Sequence, residues 1–116
     1  MCDYISMDYN EIVNFICKNN TCVLSVTKKN LPYAVPMYYK AYNDCGNIHL
    51  KLRSKDIGKK MNYMYTNENV CILIMSRNLR KTVIINGIAN MDNNCNDNTV
   101  NIDVCIKEVT GRKFCF

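Results

Sequence analysis

The chain contains no tryptophan, one histidine, two prolines and four glycines among its 116 residues. Each scarcity removes a class of chemistry. With His49 the single histidine and no C-x-x-C pair anywhere, zinc lacks a ligand set, so no metal site is expected. Four scattered glycines build neither a G-x-G-x-x-G turn nor a Walker-type phosphate loop. A nucleophile motif and a carboxylate dyad are also missing, so catalytic residues stay unassigned. No stretch approaches the ~18 apolar residues that a membrane span requires. The opening segment "MCDYISMDYNEIV" carries acidic residues and no basic region ahead of an apolar run, which is not the pattern of a signal peptide. A cytoplasmic protein is therefore expected. In that reducing setting the eight cysteines read as small apolar residues rather than as disulfide partners.

What is present is ordinary globular material. Hydrophobic residues make up 48% and charged residues 22%, which is neither disordered nor fibrous composition. The length suits one domain over residues 1–116. A net charge of +5 is modest and fits a phosphate-bearing ligand, nucleic acid or no anionic partner at all. The 18 asparagines accompany many lysines and few glycines, as in an AT-rich coding bias, so asparagine runs carry no functional weight.

The apolar spacing of "MDYNEIVNFICKNN" predicts a short amphipathic helix capped by Asp8 or Asn10. "TCVLSVTKK", the turn "KNLP" and "YAVPMYYKAY" predict a hairpin, with Pro36 confined to a bulge or an edge strand. "NDCGN" turns the chain into the strand "IHLKL". "GKKMNYMYTNEN" predicts a second helix with Met61 and Met64 on one side. "VCILIMS" is an apolar run of buried-strand length, "KTVIINGIANM" a long strand with Gly87 as a bulge, and "TVNIDVCIKEVT" a last alternating strand. Six strands lie next to one another in sequence rather than alternating with helices. That order predicts a mainly β fold: a six-stranded antiparallel barrel with two or three short helices at its openings.

Within this frame one stretch stands out. "RSKDIGKKM" gathers Arg53, Lys55, Lys59 and Lys60 where a strand hands over to a helix. A helix start offers free backbone N–H groups and the positive end of the helix dipole, and the lysines add charge, so a phosphate fits there. A solvated charged face is the plainer explanation of the same residues. His49, alternating with Ile48 and Leu50, reads as a surface or satisfied side chain. With so few reactive side chains, any enzymatic role would fall to a cofactor.

Taken in order, "LPYAVPMYYK", "NIHLKL", "GKKMNYMYTNENVCILI" and "KTVIINGIA" resemble the FMN-binding split β-barrel proteins of the pyridoxamine 5'-phosphate oxidase-like superfamily, especially the nitroimidazole-resistance and general-stress branches. The resemblance runs over about residues 10 to 110. It implies a Greek-key split barrel, a homodimer and FMN at the subunit interface. It places Lys59 and Lys60 at the FMN phosphate, with Ser54 and Lys51 nearby at the end of the preceding strand. Tyr33, Val35, Pro36 and Met37 fall on the strand whose backbone lines the ring. Lys40 falls where oxidase relatives bring a lysine to the flavin, and Thr82 at a polar position that reaches the flavin, often from the other subunit. Val35 stands where vitamin-oxidising members carry arginine, so pyridoxamine phosphate oxidation is not expected. The implied activity is electron transfer from a reduced nicotinamide to a small aromatic or quinone-like acceptor. A non-catalytic flavin- or haem-binding sensor of the same fold is the alternative. Nucleic acid is not an expected partner, because no aromatic platform interleaves with the lysines.

Overall fold

The computed structural model describes residues 3–56, 58–92 and 98–115. Eight strands and two helices follow in the order β1 (Tyr4–Ser6), α1 (Tyr9–Lys18), β2 (Thr21–Lys28), β3 (Leu31–Tyr38), β4 (Lys40–Asp44), β5 (Asn47–Lys55), α2 (Lys59–Thr66), β6 (Asn69–Met75), β7 (Lys81–Asp92) and β8 (Thr99–Phe114). All pairings are antiparallel, in the spatial order β3-β2-β6-β7-β8-β5-β4, with β1 added to the far end of β8. The hydrogen-bonded path leaves β3 and β4 as its two ends, so the sheet is not closed.

The expected six strands are corrected to eight. β1 is three residues long and exposed throughout, too short to carry an alternating signal. The stretch read as one strand, "YAVPMYYKAY", divides at Tyr39. That residue is buried, its N–H donates to the Asn20 carbonyl at 2.9 Å, and its hydroxyl donates to the Ile16 carbonyl at 2.6 Å. A side chain and an amide both committed to the end of α1 cannot also serve the ladder.

Local chemistry explains the remaining elements. Asp8 caps α1 in a reciprocal box: its Oδ1 accepts from Glu11 N at 2.8 Å, and Glu11 Oε1 accepts from Asp8 N at 3.3 Å. Two-residue turns with positive φ close both hairpins, Lys29–Asn30 for β2–β3 and Cys45–Gly46 for β4–β5. Pro36 sits on β3, whose only pairing partner among the described residues is β2. At Gly87 the β7–β8 register shifts, as a bulge requires; a Cβ there would meet the Cys105 carbonyl oxygen at 2.5 Å.

The core lies on one face of the curled sheet. Leu24, Val26, Leu50, Leu52, Ile72, Ile74, Val83, Ile85, Val100, Ile102 and Val104 alternate inward and are almost completely buried. Burying each such side chain contributes about 1.5–3 kcal/mol. Ile12, Phe15 and Ile16 of α1 and Met61 and Met64 of α2 join the same core. β6, the apolar run of buried-strand length, alternates: Val70, Ile72 and Ile74 point inward, while Cys71 and Leu73 are half-buried and Met75 is exposed on the outer side. Among the described residues no helix is long and apolar enough to cross a membrane.

Candidate functional site

Strand parity decides which side chains share the outer face. On β5, Leu50 and Leu52 point inward, so His49, Lys51 and Arg53 point outward. Their antiparallel partners share that face. Lys51 stands between Lys40 of β4 and Asp103 of β8, His49 between Tyr42 and Cys105, and Arg53 beside Asn101. Lys40, Lys51 and Arg53, with Asn20, Tyr38, Tyr39, Leu52 and Asn101, line a groove of about 520 Å³. That volume lies within the usual range for small-molecule sites.

The charge in this groove is not balanced from within. Asp103 is the carboxylate nearest Lys51 in the ladder, yet its two oxygens are engaged elsewhere. One accepts the Tyr42 hydroxyl, and the other meets His49 Nδ1 at 3.1 Å. Tyr42 and His49 stack with ring centroids 5.3 Å apart. The hydrogen bond to Asp103, helped by partial desolvation, pushes the Tyr42 phenol up to about 12. His49 is thus satisfied, as expected of a lone strand histidine. Among the described residues neither Lys40 nor Lys51 has an ion-pair partner. Arg53 donates to Thr99 Oγ1 from Nε at 3.4 Å and from Nη2 at 3.2 Å.

The second cationic feature is the start of α2. Gly58 occupies the N-cap with φ 95°, no side chain caps the exposed N–H groups, and the first turn holds no acid. Lys59 and Lys60 instead place two positive charges at the positive end of the helix, which is unfavourable unless an anion is present. Lys59 Nζ lies 5.7 Å from the Tyr33 ring centroid, and Tyr33 packs against Tyr63 at 5.9 Å. Lys59 is exposed and Lys60 half-buried; neither lines the β4–β5 groove.

The remaining predicted residues divide. Ser54 falls on the inward parity of β5, opposite Val100, and its hydroxyl donates to the Lys55 carbonyl at 3.0 Å. Tyr33, Val35 and Met37 pair with the buried Val26, Leu24 and Cys22, so they share the inward face. Pro36 points outward, and the free edge of β3 exposes backbone rather than these side chains. Thr82 lies at the start of β7, between Met75 and Arg112, on the outer face beside Leu73 and Ile84. The chain therefore brings Lys40 and Lys51 together, joins Lys59 to Tyr33, and leaves Thr82 on the other half of the sheet.

Asn20 and Asn101 are groove residues that the sequence did not point to, and Arg53 stood out there only as one of the four cations ahead of the second helix. Arg53 was within reach: the alternation of "HLKLR" puts it on the face of Lys51. Asn20 and Asn101 gave no signal, because the chain is crowded with asparagine. Among the described residues no His/Cys/Asp/Glu cluster could hold a metal, and the cysteines are free.

No family model matches the chain, and no curated protein matches its sequence. Solved structures do match over its whole length. A FAD-binding protein from Mesorhizobium loti superposes with a TM-score of 0.82 at 21% identity, covering 100% of both chains. A candidate 5-nitroimidazole antibiotic resistance protein from Bacteroides thetaiotaomicron gives 0.77 at 20% identity, covering 98% of this chain and 89% of that one. General Stress Protein 26 from Bacillus anthracis gives 0.72 at 19% identity, covering 89% and 92%. The fold of the chain is that of these proteins, and of two structures described as candidate pyridoxamine 5'-phosphate oxidases.

Proposed function

We propose that the protein binds FMN in a split-barrel homodimer and acts as an oxidoreductase. The observation that carries this reading is the groove in which Lys40 opposes Lys51, with Arg53 beside them and, among the described residues, no carboxylate turned toward the pair. Juxtaposed cations in a concave site are favourable when an anionic ligand completes them. The fold shared with FAD-binding and pyridoxamine 5'-phosphate oxidase-like structures supports a flavin as that ligand.

The residues fit the group in three respects. Lys59, Lys60 and the uncapped N–H groups of α2 suit a dianionic phosphate. The groove, with Tyr38 on its wall, suits a flat ring, and the free edge of β3 offers backbone groups near Val35, Pro36 and Met37. Lys51 and Lys40 supply positive charge beside the ring, and Tyr33 lies beside Lys59 at the phosphate end. Thr82 lies too far around the sheet to join these residues in one chain. A second copy brings it in, packed through the outer face of β6 and β7 where Leu73, Met75 and Ile84 are partly uncovered.

Bound there, FMN would supply reversible hydride and electron transfer, which no side chain of the groove can perform. The chain's own contribution is to hold the phosphate, orient the ring and place cations where negative charge grows on reduction. Neither a carboxylate nor an imidazole lines the groove among the described residues, which favours a non-catalytic flavin carrier as the second reading. Steady-state oxidation of reduced nicotinamide by the FMN-loaded protein, with a quinone or nitroaromatic acceptor, separates the two. Turnover supports the oxidoreductase; binding without turnover for any acceptor supports the carrier.

A further inference from the structure

We propose that the cleft between the end of α1 and the β6–β7 turn is a second anion subsite, one that takes the diphosphate of a nucleotide-type ligand. The cleft holds about 410 Å³ and is lined by Lys18, Arg80 and Lys81 around a floor of Phe15, with Asn19 and Ser76 at its sides. Three cations meet there without an acid in the lining. Among the described residues the side chains of Lys18, Arg80 and Lys81 make no hydrogen bond or ion pair. Glu11 is close enough for Lys81 to act on its charge, but its carboxylate is bound by Lys113 Nζ at 2.6 Å and by the Asp8 amide.

The plain role for one of these cations is electrostatic. Lys18 lies in the last turn of α1, where a positive charge complements the helix dipole. That accounts for Lys18 and not for Arg80 and Lys81. Those two project from a turn held rigid by its own side chains. Ser76 Oγ donates to Asn78 Oδ1 at 2.8 Å, the same oxygen accepts Arg80 N at 3.0 Å, and Ser76 Oγ accepts Lys81 N at 3.0 Å. That network fixes the backbone from which the two cations extend, so an anion need not order the turn as well as the side chains. A phosphate monoester carries about −1.5 to −2 charges near neutral pH, which three cations exceed, so a diphosphate matches them better.

Position supplies the link to function. Asn19 lines this cleft and Asn20 lines the Lys40–Lys51 groove, so two cationic depressions flank one dipeptide. A nucleotide whose diphosphate lies in the second is anchored beside the first. Its role as the electron donor's anchor rests on the flavin reading; anion binding itself does not.

The test titrates the purified chain with inorganic pyrophosphate and with ADP, by calorimetry at low ionic strength. Arg80→Ala with Lys81→Ala should weaken both by about tenfold or more, since charge-assisted contacts of this kind are lost. Lys40→Ala with Lys51→Ala should leave this binding in place while reducing FMN affinity. A charge-preserving pair, Arg80→Lys with Lys81→Arg, should largely restore affinity and guards against misfolding of the alanine variant. The inference is overturned if neither probe binds, or if the Arg80/Lys81 alanine variant binds both as tightly as the parent. It is also overturned if only the Lys40/Lys51 variant loses them. A chain that binds pyrophosphate at the cleft but never takes up FMN overturns the flavin reading and leaves the subsite standing.

Discussion

Lys40 and Lys51 face each other directly across β4 and β5, two like charges at one rung of an antiparallel ladder. The rung continues to Asp103, whose carboxylate has turned away to Tyr42 and His49. Such a pair weakens the ladder by itself and gains its sense from a ligand. Lys51→Ala should therefore raise the stability of the ligand-free protein by about 0.2–1 kcal/mol in urea unfolding. The same variant should lose FMN affinity. A variant that is less stable and binds FMN unchanged would mean that Lys51 is structural.

Tyr39 is the pin between the sheet and α1. Its hydroxyl serves the Ile16 carbonyl, one of the last carbonyls of a helix and otherwise without a partner in its own helix. Tyr39→Phe should cost about 1 kcal/mol, measured by thermal or urea unfolding, because it removes a buried hydrogen bond while keeping the ring. No change would show that solvent reaches the carbonyl.

Alkaline pH should loosen the fold through two buried groups. Burial pushes the Cys22 thiol from its ordinary 9.0 up to about 11, and burial pushes the Tyr39 phenol well above its ordinary value. A raised pKa means that the native state holds its proton longer than the unfolded chain. The stabilising contribution is then full below the unfolded value and is lost as pH climbs through the folded one. Unfolding free energy should fall by about 2 kcal/mol between pH 9 and pH 11 on account of Cys22. Cys22→Val should flatten that part of the curve; an unchanged slope would assign the loss to other groups.

Gly87 was legible in the sequence as a bulge, and the register shift beside it makes the reason steric. A methyl group there would press on the Cys105 carbonyl oxygen at 2.5 Å and Val104 Cγ1 at 2.9 Å. Gly87→Ala should cost about 1–3 kcal/mol, as overpacking does. Wild-type stability in urea would show that the bulge can shift to make room.

How much the sequence revealed follows from what each residue answers to. Strand alternation, the Asp8 cap, the edge placement of Pro36 and the inward Met61 and Met64 are local or periodic, and they were readable. The break at Tyr39 was not, because it depends on carbonyls of Ile16 and Asn20 that only the fold brings near. β1 is a strand because β8 offers an edge to it, with Tyr4 opposite Phe114, and three exposed residues cannot announce that. In the site, the lysines of α2 and the pairing partners Lys40 and Lys51 were visible as types. Their division into a groove and a helix start came from parity and topology. Ser54 shows the limit plainly: three positions from Lys51, it takes the opposite face of the same strand.

The most direct test of the central claim is a visible-absorbance titration of the purified chain with FMN, run beside the Lys59→Ala/Lys60→Ala variant. A grip on phosphate at the start of α2 predicts a saturable, stoichiometric yellow complex for the parent and release of the flavin by the variant, with both proteins equally folded. A parent protein that stays colourless and indifferent to FMN, or a variant that retains it with unchanged affinity, contradicts the account.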